Sequence, residues 1–174
     1  MSAQPEPAPV ELPPLHTLSL FVNNKPGVLV RVSLAFARRG FNIESLVVSE
    51  GKDERFSRIT ITCRGDRATL DQMVRQLAKL VDVVHAIDHT GEEAIEIEIA
   101  LIKLEGGVEQ RTQIFQIVEH YKAKVVDFGH DSLVLQVQGS SEKIDAFVEL
   151  LRPFGILELV RSGKLLMARG RQTT

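Results

Sequence analysis

The residues best placed to do chemistry lie in one segment, Asn23-Asn24-Lys25-Pro26-Gly27-Val28-Leu29, between an alternating apolar run and an amphipathic one. The first turn of a helix leaves backbone N–H groups without internal partners and carries partial positive charge, so it suits a carboxylate. Pro26 has no N–H to give. Gly27, Val28 and Leu29 do, and without a β-carbon Gly27 lets a ligand approach the backbone closely. The Asn24 amide can donate to a carboxylate or accept from an ammonium group. A plainer reading stands beside this one: Asn24 caps the helix and Gly27 is incidental. A second segment, residues 40–46, brings another amide, Asn42, with Ile43 and Leu46 for apolar contact.

Other chemistry is sparse. The histidines His16, His85, His89, His120 and His130 form no metal-ligand motif and read as surface or structural residues. There is no G-x-S-x-G, P-loop or C-x-x-C pattern. Gly106 and Gly107 could cradle an anion, but two glycines between a strand and a helix also make a simple turn. The single cysteine, Cys63, sits in an alternating apolar run and reads as a buried, inert thiol in a reducing compartment. With 21 basic and 23 acidic residues, the net charge of -2 gives no field to attract nucleic acid. No apolar run approaches the ~20 residues of a membrane span. The first fourteen residues lack the basic start and apolar middle of a signal peptide, so a cytoplasmic protein is expected.

These residues need a scaffold, and the periodicity supplies one. Residues 1–14, with five of the seven prolines, carry no period and read as a disordered tail. Residues 16–22 alternate as a strand, and residues 25–39 place Val28, Leu29, Val32, Ala35 and Phe36 at helical spacing, with Pro26 in the first turn and Gly40 past the end. Strands over 41–49 and 56–64 form a hairpin. A helix over 66–79, capped by Asp66, and a strand over 81–87 complete the set. This β-α-β-β-α-β order is the ferredoxin-like arrangement.

The order then repeats. Ile95, Ile97, Ile99 and Leu101 alternate with Glu96, Glu98 and Ala100. Helices follow over 108–121 and 141–151, strands over 124–128 and 132–137, and strands over 156–160 and 164–168 around Ser162 and Gly163. The fold class is therefore α+β: two tandem ferredoxin-like units, 15–89 and 90–174, each an antiparallel sheet with helices on one face. Only 5% of the residues are aromatic and none is tryptophan, so the cores must be aliphatic.

The run N-K-P-G-V-L-V-R-V-S-L-A-F-A-R-R-G-F-N-I-E-S-L-V-V, residues 24–48, resembles the small regulatory subunit of acetohydroxyacid synthase, also called acetolactate synthase. Residues 56–61, 76–83, 161–163 and 169–170 extend the likeness across about 15–170. The resemblance implies an N-terminal ACT domain that binds an effector amino acid between two copies in a homodimer. Carried over by position, Asn24, Gly27, Val28 and Leu29 would hold the effector's polar end, and Asn42 and Ile43, typically from the partner chain, would complete the site. Valine or another branched-chain amino acid is the effector so implied. The implied partner is a large catalytic subunit, which would carry the thiamine diphosphate, magnesium and FAD, with no catalytic residue or cofactor on this chain. Glu105-Gly106-Gly107 replaces the N-x-x-G loop in the second unit, which is not expected to form an equivalent site. A stand-alone amino-acid sensor and an RNA-binding module of the same strand order are the alternative readings. The negative charge disfavours RNA, as does a third strand that offers Phe56 but no matching aromatic set.

Overall fold

The structure, a computed structural model, describes residues 12–105, 107, 109–171 and 173–174. Most of the expected proline-rich tail, the Gly106 half of the glycine pair and the expected helix start at Val108 lie outside the described residues.

The first unit runs β1 (Leu15–Asn23), α1 (Val28–Arg38), β2 (Ile43–Glu50), β3 (Phe56–Arg64), α2 (Arg67–Leu77) and β4 (Val83–Asp88). Its sheet is antiparallel in the order β2-β3-β1-β4. The second runs β5 (Ile95–Leu104), α3 (Arg111–Tyr121), β6 (Lys124–Phe128), β7 (Leu133–Gly139), α4 (Ser141–Leu151) and β8 (Ile156–Arg161), in the equivalent order β6-β7-β5-β8. The tandem ferredoxin-like class is therefore correct.

Alternation decides each core. In β1, Leu18, Leu20 and Val22 face the helices and are buried, meeting Val32 and Phe36 of α1, Ile59 and Ile61 of β3, and Leu70, Met73 and Leu77 of α2. Each such side chain contributes ~1.5–3 kcal/mol on burial. Cys63 belongs to this core, and burial, aided by the charges of Asp88 and Glu44, pushes its thiol up to about 11, so it stays protonated and unreactive. The second core is built alike from Ala100, Ile102 and Leu104, with Ile114, Leu135, Ile144, Phe147 and Leu151.

Two expectations are corrected. The first helix begins at Val28, not residue 25: Gly27 sits at φ 83°, a left-handed backbone that no helix contains, so Pro26 precedes the helix. The last two strands also do more than flank a turn. Both β8 and β9 (Leu165–Met167) pair with β5, at Ala100–Leu104 and Ile95–Ile97 respectively. Ser162 joins them by a main-chain bond to Ile99 at 2.9 Å, and Gly163 at φ 80° makes the kink.

The outer end of β5 and β9 lies toward the first sheet's face opposite its helices. There Thr17, Ser19, Thr60 and Thr62 are buried although polar. His89 in the linker bonds Ser19 Oγ through Nε2 at 2.8 Å, and Gly163 sits against Ser45 and Val47.

Candidate functional site

The loop between β1 and α1 is held from two directions. Asn23 N donates to the Asp82 carbonyl at 2.8 Å, anchoring the loop beside β4. Asn24 is tied to the β2–β3 turn: its main-chain N donates to the Arg55 carbonyl at 2.7 Å and its Nδ2 to the Glu54 carbonyl at 2.9 Å and Glu50 Oε1 at 3.4 Å. Arg31, on the first turn of α1, forms an ion pair with Asp82. The turn is braced in its own right by Asp53, whose hydrogen bonds from the Arg55 side chain and backbone hold its carboxyl down at about 2. It therefore stays ionised throughout the neutral range.

These bonds overturn the plain cap reading of Asn24. Gly27 is the N-cap residue, no side chain caps α1, and the Asn24 amide points to the neighbouring turn instead. By contrast, Asp66 caps α2 by accepting from Thr69 N, as the sequence indicated. The first turn of α1 is thus left open. Val28 N makes a long bond to the Lys25 carbonyl at 3.4 Å, while Gly27 and Leu29 N–H groups make no backbone hydrogen bond among the described residues. N–H donors left open on a positively polarised helix end can hold a carboxylate. Leu29, Val30 and Leu34 are 39%, 60% and 48% exposed, so the outer face of α1 beside the loop is apolar and uncovered within the chain.

Asn24, Gly27, Val28 and Leu29 therefore come together, but Asn42 and Ile43 do not join them. Ile43 is paired with Cys63 and Glu50 with Ser57, so the two segments lie at opposite ends of β2. Seven strand steps separate them by roughly 23 Å. Asn42 Nδ2 meets Glu44 Oε1 at 3.3 Å on the surface.

Several residues escaped the sequence reading. Asp82, Glu54 and Arg55 fix the loop, yet each lies about 30 or more positions away, and no local pattern links them to it. Ser19 Oγ, His89 and Glu92 form a hydrogen-bonded chain, with His89 Nδ1 2.8 Å from Glu92 Oε2. The order resembles that of a hydrolase triad, but Ser19 is wholly buried on the sheet, so the chain serves to strap the linker to β1. At the junction of the units, Arg161 grips Glu98 through Nε at 2.8 Å and Nη2 at 2.7 Å, and Ser141 Oγ adds a bond at 3.0 Å. Burial raises the Glu98 carboxyl, but the hydrogen bonds from Arg161 and Ser141 and the charges of Arg161 and Lys164 outweigh it and hold the group below the usual carboxylate range.

Comparison with known proteins identifies the family and the fold. Residues 18–85 match the AHAS small subunit-like ACT domain, and residues 97–170 match the family described as the small subunit of acetolactate synthase. The probable acetolactate synthase small subunit of Archaeoglobus fulgidus is 41% identical over 90% of this chain and 98% of its own length. The acetolactate synthase small subunit of Mycolicibacterium smegmatis is 41% identical over 90% and 92%. The crystal structure of the acetolactate synthase small subunit from Thermotoga maritima superposes with a TM-score of 0.81 at 37% identity, over 91% of this chain and 99% of that one. An ACT domain followed by a matching C-terminal unit, with relatives about 40% identical over nine-tenths of its length, places this chain in the family of acetolactate synthase small subunits.

Proposed function

We propose that this chain is a feedback sensor: a cytoplasmic homodimer that binds the large catalytic subunit, raises its activity, and lowers it again when valine or another branched-chain amino acid binds. The observation that carries the reading is the open first turn of α1, with Gly27 at φ 83° and free N–H groups at Gly27 and Leu29. The effector's carboxylate sits on those groups and its branched side chain against the apolar outer face of α1.

The distance between the loop and Asn42 makes dimerisation a condition of binding. The edges of the first sheet are β2 and β4, and β2 is the one that runs from Ile43 to Glu50, between the two halves of the site. Antiparallel pairing of β2 with β2 of a second copy brings the partner's start of the strand opposite Glu50, at the end of β2 that Asn24 touches. Asn42 and Ile43 of one protomer then complete the site opened by Asn24, Gly27, Val28 and Leu29 of the other. The thiamine diphosphate, magnesium and FAD belong to the large subunit, and this chain contributes binding and coupling.

Two charge-assisted bonds at ~1.5–3 kcal/mol each and a branched side chain at ~1.5–3 kcal/mol oppose an association cost of at least ~4 kcal/mol. The balance corresponds to micromolar to millimolar affinity. The selecting difference between valine and leucine is one methylene, ~1–3 kcal/mol.

A complementation experiment tests the shared site. Gly27→Val and Asn42→Ala homodimers each lose valine binding in calorimetry. Random mixing of the two regenerates intact sites, because one hybrid interface carries both lesions and the other carries neither. No recovery on mixing, with hybrids verified by mass spectrometry, rejects a site shared between chains. An acetolactate assay with the large subunit, with and without valine, tests activation and inhibition together.

A further inference from the structure

A cavity of about 650 Å³ lies between the two units, lined by no residue of the 23–29 loop and sharing with that loop only the turn after β2. Its size falls within the ~300–1,000 Å³ of small-molecule sites. One wall is the face of the first sheet turned from its helices. There Phe21 and Arg58 are register partners, with the guanidinium carbon 5.6 Å from the Phe21 ring centre, and Phe21 stacks on Phe56 at 4.9 Å and His85 at 5.2 Å. The facing wall is the β5–β9 ribbon, whose cross-strand pairs Ile95–Met167 and Ile97–Leu165 set four apolar side chains on one face. All four are at least 40% exposed. A contiguous apolar patch inside a cleft marks a ligand surface rather than ordinary exterior.

The rim carries charges of both signs, and they are partnered differently. Of the two carboxylates on the 49–53 turn that lines the third side, Asp53 is paired with Arg55 and Glu50 accepts from Asn24. The two cations that line the cavity, Arg58 and Lys52, form no ion pair with a side-chain carboxylate among the described residues. Arg58 Nη1 and His85 Nε2 both bond the Thr174 main-chain oxygen, which holds the seat beside the aromatic wall that a ligand's carboxylate takes by displacing it. Burial also lowers the Arg58 guanidinium from its ordinary value, a cost that a bound anion offsets.

We propose that this cavity binds a small aliphatic monocarboxylate, its chain lying on Ile95, Ile97, Leu165 and Met167 and its carboxylate on Arg58. The site does not require the dimer or the effector loop. Its occupant differs from the loop's in having no need of an ammonium group, because the side chain that receives its carboxylate, Arg58, is cationic.

The test uses the full chain with methyl-labelled Ile, Leu and Met, titrated by NMR with octanoate and separately with 1-octanol. Octanoate saturably shifts the Ile95, Ile97, Leu165 and Met167 methyls, with an affinity at least about tenfold above that of octanol, which has the same body and no charge. Arg58→Gln removes most of that difference and leaves octanol binding within about twofold. Ile97→Trp, which fills the cavity, blocks both, and Arg58→Gln alone decides the matter if that variant does not fold. Equal affinities for octanoate and octanol in the wild type overturn the carboxylate assignment. Shifts confined to Leu29 and Leu34 overturn the location, and an absence of any shift overturns the site.

Discussion

The two ferredoxin-like units share a strand order and part company at the same junction, the passage from the first strand into the first helix. In the first unit that passage is Asn23 to Gly27, pinned by Asp82 on one side and by Glu54 and Arg55 on the other, with a left-handed glycine that leaves helical N–H groups open. In the second it begins with Glu105, whose main-chain N donates to the Gly155 carbonyl at 3.0 Å and whose carboxylate lies against Gly155. A carboxylate already at that point repels the anion that the first loop attracts. The second unit spends its charged residues on bracing instead, in the Glu98–Arg161 grip and the Lys164–Glu96 pair. On the proposed function one scaffold thus supports a binding end and a bracing end, and the loop chemistry rather than the fold decides which is which.

The contrast breaks most visibly at the brace. Glu98→Ala leaves Arg161 with Asp145 alone and costs about 2 kcal/mol of stability, less than breaking a fully buried pair because Arg161 is partly exposed and keeps that partner. Chemical denaturation measures that loss, and valine affinity stays within about twofold if the second unit only braces. The pH dependence follows in sign. A carboxyl whose folded value is depressed adds stability above its unfolded value, ~4.3, and that contribution disappears as pH falls through the folded value. Wild-type stability should therefore decline on acidification below about pH 4.3 with a component that Glu98→Gln lacks, visible as a difference between the two denaturation curves.

At the binding end, Gly27→Val forces a β-branched residue to φ 83° and costs ~1–2 kcal/mol. Its larger consequence is on valine, whose calorimetric affinity should fall by about tenfold or more as the open N–H groups move. Asn24→Ala loses the bonds to the 50–55 turn, about 1 kcal/mol, and should blunt valine inhibition in the acetolactate assay while leaving activation by the subunit intact. Unchanged inhibition would remove Asn24 from the site. The smallest effect is expected at Glu105→Ala, within ~0.5 kcal/mol in stability, with an unchanged number of valines per dimer in calorimetry. A second class of valine site appearing in that variant would show that Glu105 alone separates the two units.

Much of this was legible in the sequence for identifiable reasons. Alternation in Leu18, Leu20 and Val22, and helical spacing in Val28, Val32 and Phe36, report burial on one face, which is a local property. Asp66 as a cap is local as well. The helix start at residue 25 was misread because Lys25 and Pro26 fit a first turn by type, whereas the left-handed turn at Gly27 is set by anchors more than 25 residues away. The join of β8 to β9 along β5 was equally out of reach, since two short strands around Ser162 and Gly163 read the same whether they pair with each other or continue one edge.

By itself the sequence determined the two repeated units, their cores, and the loop with its glycine and amide, because each depends on residue type at short spacing. Only the tertiary structure decided that the Asn24 amide serves the β2–β3 turn rather than the helix, that Asn42 lies a strand's length from Gly27, and that Arg58 faces an apolar ribbon from the other unit. These are pairings between residues distant along the chain, and their register follows from how the sheets align, a quantity that no local pattern encodes.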